Sequence, residues 1–227
     1  YRLTRVTCAT KGAGRLDLPA QIPKLGAMTM TRFFLASLLL VLTALPGMAQ
    51  QLSLTEISRY LNGLTTLEAE FTQINSDQTI STGVIKIHRP GRARFEYNPP
   101  DETLVIAGGQ QLAVFDAKSN TGPEQYPLKE TPLNLILAQN VDLNRSGMVV
   151  GHSYDGTATT VIAQDPDHPE YGNIRLMFTG QPVELRQWII TDGSGAETAV
   201  ILGVVTTGMR YPTATFSINA EVRKRER

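Results

Sequence analysis

The stretch K-I-H-R-P-G-R-A-R-F-E-Y, residues 86–97, gathers Lys86, His88, Arg89, Arg92 and Arg94 into a dozen positions. Such a cluster can bind phosphate, supply acid–base groups, or form the polar edge of an apolar surface. Two further histidines follow in turn-like surroundings, His152 in V-G-H-S-Y-D-G and His168 in D-P-D-H-P-E-Y-G. His168 with Asp165 and Asp167 offers metal-ligating atoms, but not at an established ligand spacing, and such residues dominate turns for backbone reasons. The chain has no G-x-S-x-G elbow, no phosphate-binding G-x-x-x-x-G-K and no G-x-G-x-x-G. A serine hydrolase is not excluded, because triads are set by geometry rather than by order in the chain.

On a strand, successive side chains alternate between faces, so Ile85, Ile87 and Arg89 share one side. Arg89 thus ends an apolar row. Pro90-Gly91 interrupts the strand, after which Arg92, Arg94 and Glu96 point one way and Ala93, Phe95 and Tyr97 the other. Arg92 and Arg94 read as a solvated face. Arg89 reads differently, since a guanidinium on an apolar face is costly unless it is hydrogen-bonded or paired.

The elements around this strip are legible. In S-L-T-E-I-S-R-Y-L-N-G-L, Ser53 and Glu56 form a capping box, and Leu54, Ile57, Tyr60, Leu61 and Leu64 recur at helical spacing. A helix ending near Asn62-Gly63 is predicted. From Leu67 the period becomes two, with Leu67, Ala69 and Phe71 alternating against Glu68, Glu70 and Thr72. Further strands are predicted at GVIKIHR, TLVIA, QLAVFDA, TVIAQD, NIRLMFT, VELRQWIITD, TAVILGVV and ATFSIN, separated by short turn signals. Connections of that length join antiparallel neighbours. One segment departs from the pattern: T-P-L-N-L-I-L-A-Q-N predicts a short helix, with Thr131 as N-cap and Pro132 at its first position. It is apolar on nearly every side, so it must be buried or must cover something apolar.

Residues 30–49 read as a secretory signal: Arg32, an apolar run from Phe33 to Leu42, then small residues at Gly47 and Ala49, with cleavage expected after Ala49. The apolar run falls short of the roughly 20 residues that span a bilayer. Residues 1–29 are expected to be a non-native or mis-started upstream segment, and they hold the only cysteine, Cys8. One domain is expected over 50–227, without cysteine chemistry and without a metal or other cofactor. The first 49 residues carry six basic and one acidic residue, which leaves 15 basic and 20 acidic from Gln50 onward, a net of −5. A nucleic-acid binder would be basic, so none is expected as a partner.

Phe71-Thr72-Gln73 after the amphipathic helix resembles the F-x-Q of the periplasmic outer-membrane lipoprotein carrier (LolA) family. Gly83 followed by I-K-I-H-R-P-G-R-A-R-F-E-Y-N-P-P is similar to its G-x-hydrophobic…R-P…aromatic-P signature. TLVIAGGQQLAVFD, TPLNLIL, IRLMF and WIITDGSGAETAVIL follow in the family's order, so the likeness runs from about Leu52 to Ile218. Two departures stand out. The family often has tryptophan where this chain has Phe95 or Tyr97, its own being Trp188, and the sequence ends with FSINAEVRKRER, without the longer tail of some carriers.

The resemblance implies a mainly β (α+β) fold, a strongly curved, unclosed antiparallel half-barrel with short helices over its concave apolar face. It implies no catalytic residue and a cavity for the acyl chains of lipoproteins. We assign Phe71, Ile85, Ile87, Phe95 and Tyr97 to its wall and Leu133, Leu135 and Ile136 to its lid. The arginine of the R-P pair, here Arg89, is implied to tie lid to sheet. Partners implied are lipoproteins, an inner-membrane lipoprotein-releasing transporter and an outer-membrane lipoprotein acceptor, met in the periplasm; a monomer is expected. Two alternatives stay open at this level: a periplasmic carrier or sensor for another lipid or lipid-linked molecule, and an exported hydrolase.

Overall fold

Ser53 lies in extended backbone ahead of helix α1 (Leu54–Gly63), and both halves of the capping box form. Its hydroxyl accepts from the Glu56 amide, while the Glu56 carboxylate accepts from the Ser53 amide at 2.8 Å. The computed structural model describes residues 50–116, 122–145 and 147–226; the signal segment, residues 1–29 and Cys8 lie outside them. The apolar stripe of α1 is buried at Ile57 and Leu61, as the spacing predicts.

Twelve strands follow among the described residues. They are β1 (Thr66–Ile74), β2 (Ile80–His88), β3 (Ala93–Tyr97), β4 (Leu104–Gly108), β5 (Gln111–Phe115), β6 (Glu124–Pro127), β7 (Val149–Tyr154), β8 (Ala158–Gln164), β9 (Asn173–Thr179), β10 (Glu184–Thr191), β11 (Glu197–Leu202) and β12 (Thr206–Thr207). Two meanders, β1 to β6 and β7 to β11, join where β1 pairs with β11, giving the order β6-β5-β4-β3-β2-β1-β11-β10-β9-β8-β7, with β12 alongside β1. Every pairing is antiparallel, and β6 and β7 remain as edges, so the sheet does not close.

One contact reports how strongly the sheet curls. Strands β3 and β10 are four steps apart, about 19 Å across a flat sheet at about 4.8 Å per step. Yet Phe95 on β3 and Trp188 on β10 meet edge to face with ring centroids 6.5 Å apart. Only a concave sheet brings them together. The chief apolar cluster fills this concavity with Leu67, Phe71, Ile85, Phe95, Leu176 and Trp188, and α1 and helix α2 (Asn134–Leu137) add Ile57, Leu61, Ile136 and Leu137.

Four local expectations are corrected. A-T-F-S-I-N is not a strand: Thr213–Phe216 is a 3₁₀ turn, and Ser217 caps helix α3 (Ile218–Arg225) by accepting from the Ala220 amide. Phe216 is buried beside it, and Ile218 packs with Leu104, Ile106, Ala113 and Phe115 in a second apolar cluster. Since Val105 of β4 faces the concavity, Leu104 and Ile106 face outward, so α3 covers the convex side. Second, His152 lies in edge strand β7 rather than in a loop, with Nε2 2.9 Å from the Leu52 carbonyl. Third, Thr131 does not cap α2. Its hydroxyl donates instead to the Leu128 carbonyl, closing a preceding 3₁₀ turn, and α2 begins one turn later behind Leu133. Fourth, Arg94 is not solvated. Its side chain is 12% exposed, because α3 lies over it and places Glu221 3.4 Å away.

Candidate functional site

The curl of the sheet leaves a cleft of about 530 Å³, within the range of small-molecule sites, about 300–1,000 Å³. Phe95 and Tyr97 of β3, Val105 of β4, Leu112 and Val114 of β5, and Trp188 and Ile190 of β10 form its walls. Thr131, Pro132 and Leu133, leading into α2, close it from above. The Tyr97 hydroxyl donates to Gln73 Oε1 at 2.7 Å, and Gln73 donates to Asn75 at 2.6 Å. Burial pushes the Tyr97 hydroxyl up to about 12. This polar arm of the wall is therefore neutral and internally bonded.

Phe71 stands behind the wall, edge-on to Phe95 at 5.9 Å and to Tyr97 at 5.1 Å. Its ring requires the glycine opposite. A Cβ on Gly83 would lie 2.8 Å from the Phe71 ring and 2.2 Å from the Glu96 carbonyl oxygen. Of the residues singled out from sequence, Phe95, Tyr97 and Leu133 line the cleft and Phe71 backs them. Ile85 and Ile87 are fully packed in the adjoining core, Ile136 is buried there, and half-buried Leu135 packs against it. The far wall, Trp188 and Ile190, was absent from the sequence-based set, although period-two spacing in V-E-L-R-Q-W-I-I-T-D places both on one face.

Arg89 ends the Ile85–Ile87 row and is 8% exposed. Its guanidinium donates to the Ala138 carbonyl, just past α2, and reaches Asn62 Oδ1 at 3.5 Å, while Nε has no acceptor among the described residues. Burial pushes its pKa down. The last carbonyls of a helix lack intrahelical donors, and here they are met from the sheet: the Gly91 amide donates to the Leu137 carbonyl at 2.8 Å. Asn62 then pairs with Val141 in both directions at 2.8 Å, and the Ser58 hydroxyl accepts from the Leu143 amide at 3.0 Å. The exit of α2 is thus stitched to α1 and to the β2–β3 turn. Arg92 only donates to the His88 carbonyl at 3.3 Å, and Arg94 serves α3.

Among the described residues the lining holds no histidine, cysteine, lysine or arginine, and no group of three or more His, Cys, Asp and Glu is placed to hold a metal. His168 stacks on Tyr171 and lies 2.9 Å from Glu170, whose carboxylate raises its pKa. What the cleft offers chemically is apolar surface beneath a hydrogen-bonded cover.

The family model described as outer membrane lipoprotein carrier protein LolA matches residues 62–219. An outer-membrane lipoprotein carrier protein of Legionella pneumophila (strain Lens) is 33% identical over 201 residues, covering 84% of this chain and 95% of its own. One from Chromobacterium violaceum is 24% identical over 184 residues, covering 78% and 88%. A LolA superfamily protein of known structure from Nitrosomonas europaea superposes over 73% of this chain and 98% of its own, with 10% identity and a TM-score of 0.38.

Proposed function

The chain belongs to the outer-membrane lipoprotein carrier (LolA) family, and from that premise we propose how it carries its cargo. The acyl chains of a lipoprotein enter the cleft between Phe95, Tyr97 and Trp188, and the α2 segment closes over them. The observation that carries this reading is the apolar cleft beneath a cover whose exit Arg89 holds. A chain of roughly 16 carbons gains on the order of 12 kcal/mol by leaving water, at about 0.8 kcal/mol per methylene. A cavity of this kind supplies that gain without any catalytic group, and the family is named for carriage rather than catalysis.

Arg89 acts as the latch. Its single close acceptor and unmatched Nε give a hold weak enough to release. Loading then takes place at an inner-membrane lipoprotein-releasing transporter and unloading at an outer-membrane acceptor, with the carrier crossing the periplasm between them. Among the described residues no helix is long and apolar enough to cross a membrane. Native mass spectrometry of the protein purified from cell envelopes tests the reading. Bound lipoprotein is the expected adduct, whereas a free glycolipid would make this a carrier of another lipid, and turnover of an ester with nothing bound would point to a hydrolase.

A further inference from the structure

Acyl chains are common to lipoproteins and to the phospholipids of every membrane the carrier would approach. The walls of the cleft meet both alike, so any discrimination falls to groups at its mouth, where the part of the ligand next to its chains is held. The sheet register shows what gathers there. Asn173, opening β9, pairs with Thr191, closing β10, while Ala199 of β11 pairs with Ile74, closing β1. The β8–β9 and β10–β11 turns therefore lie at the same end of the sheet. Glu170 comes from the first and Asp192 from the second, and Glu130 comes from the segment leading to α2. All three are exposed and line the cleft.

Among the described residues these three are the charged residues of the lining, and all are acidic. Nearby cations among the described residues are engaged or turned elsewhere. Arg145 pairs with Asp167 at 2.6 Å, His168 is held by Glu170, and Lys129 borders a separate depression around Pro90 and Leu137. The hydroxyl of Tyr171, also in the lining, is pushed up by desolvation and then by the charges of Glu130, Glu170 and Asp165.

We propose that this mouth sorts acyl ligands by the charge next to their chains. It accepts an anchor whose adjoining group is cationic or neutral, such as the amino end of a lipopeptide, and turns away anionic phospholipids. The inference rests on the acyl-cleft reading above. It makes Glu130, Glu170 and Asp192 determinants of specificity with no part in holding the chains.

The test uses one monomeric dioctanoyl lipopeptide in three forms, with a free, an acetylated and a succinylated amine, each competing with an apolar fluorescent dye for the cleft. At low ionic strength the free-amine form should displace the dye at a concentration about tenfold below that of the succinylated form, the direction that attraction of the amine and repulsion of the added carboxylate set. Raising salt should shrink the ratio. Glu130→Gln with Glu170→Gln should bring the forms together, the acetylated one shifting less than the other two, with circular dichroism checking the fold. Equal displacement by all three in the unmodified protein overturns the charge sorting alone. A ratio untouched by the double substitution overturns the assignment of these residues. Failure of every form to displace the dye overturns the acyl-cleft reading, and the charge sorting with it.

Discussion

Replacing Arg89 with leucine separates the latch from the fold. In the closed protein the guanidinium makes one charge-assisted bond, to Ala138, worth about 1.5–3 kcal/mol, while its unmatched buried Nε costs about 1–3 kcal/mol. These terms are of similar size. Arg89→Leu should therefore change global stability by less than about 2 kcal/mol, or roughly 8 °C in melting temperature for a domain of this length. The effect on opening is larger. In the native protein, opening breaks the Ala138 bond but rehydrates the guanidinium, so the two nearly offset. In the variant, opening exposes a leucine at about 1.5–3 kcal/mol. Against this, the Ala138 carbonyl, left without its donor, regains about 1 kcal/mol from water. The opening constant therefore falls by roughly 2- to 30-fold at 1.4 kcal/mol per decade. Uptake of a labelled lipoprotein should persist while its release to acceptor membranes slows by that factor. Arg92→Leu, which removes only the His88 carbonyl contact, should release almost normally. Release by Arg89→Leu at the native rate, or an equal defect in Arg92→Leu, would refute the latch.

Three other outcomes follow from the same geometry. Gly83→Ala sets a methyl against the Glu96 carbonyl at 2.2 Å, so chemical denaturation should show a loss of about 1–3 kcal/mol. Arg94→Ala leaves Glu221 under α3 with only Arg225, at 3.2 Å, and should cost about 1–3 kcal/mol, with hydrogen exchange speeding up in Ile218–Arg225 before it does in β1. Because burial raises Tyr97 to about 12, the unfolded chain ionises there first; its contribution to stability is complete below about pH 10 and lost as pH rises through 12, and absorbance titration of Tyr97→Phe against the native chain should show one late-ionising phenol fewer.

What could be read from the sequence was local. The capping box and helical spacing gave α1, alternation gave β1 to β3, and Arg89 stood out as a charge on an apolar row. Alternation names the face a residue occupies, but not what covers that face. Arg94 therefore looked solvated, although α3 lies over it, and A-T-F-S-I-N alternated like a strand because Phe216 and Ile218 both turn toward the sheet. The edge strand β7 was missed because solvent reaches both its faces, leaving no apolar row in V-V-G-H-S-Y. The cleft was half legible. Phe95, Tyr97 and Leu133 lie in patterned segments, whereas Trp188 and Ile190 join them only because the sheet curls across four strands, a property of the whole register.

The central claim is that acyl chains lie in the cleft, and the chain's single tryptophan, Trp188, fully buried in its wall, reports on that directly. A lipopeptide bearing a nitroxide partway along an acyl chain should quench Trp188 emission on binding. The same lipopeptide with the nitroxide on its peptide end should bind equally and quench far less. Equal quenching from both positions, or binding with no quenching from the chain, would contradict the account.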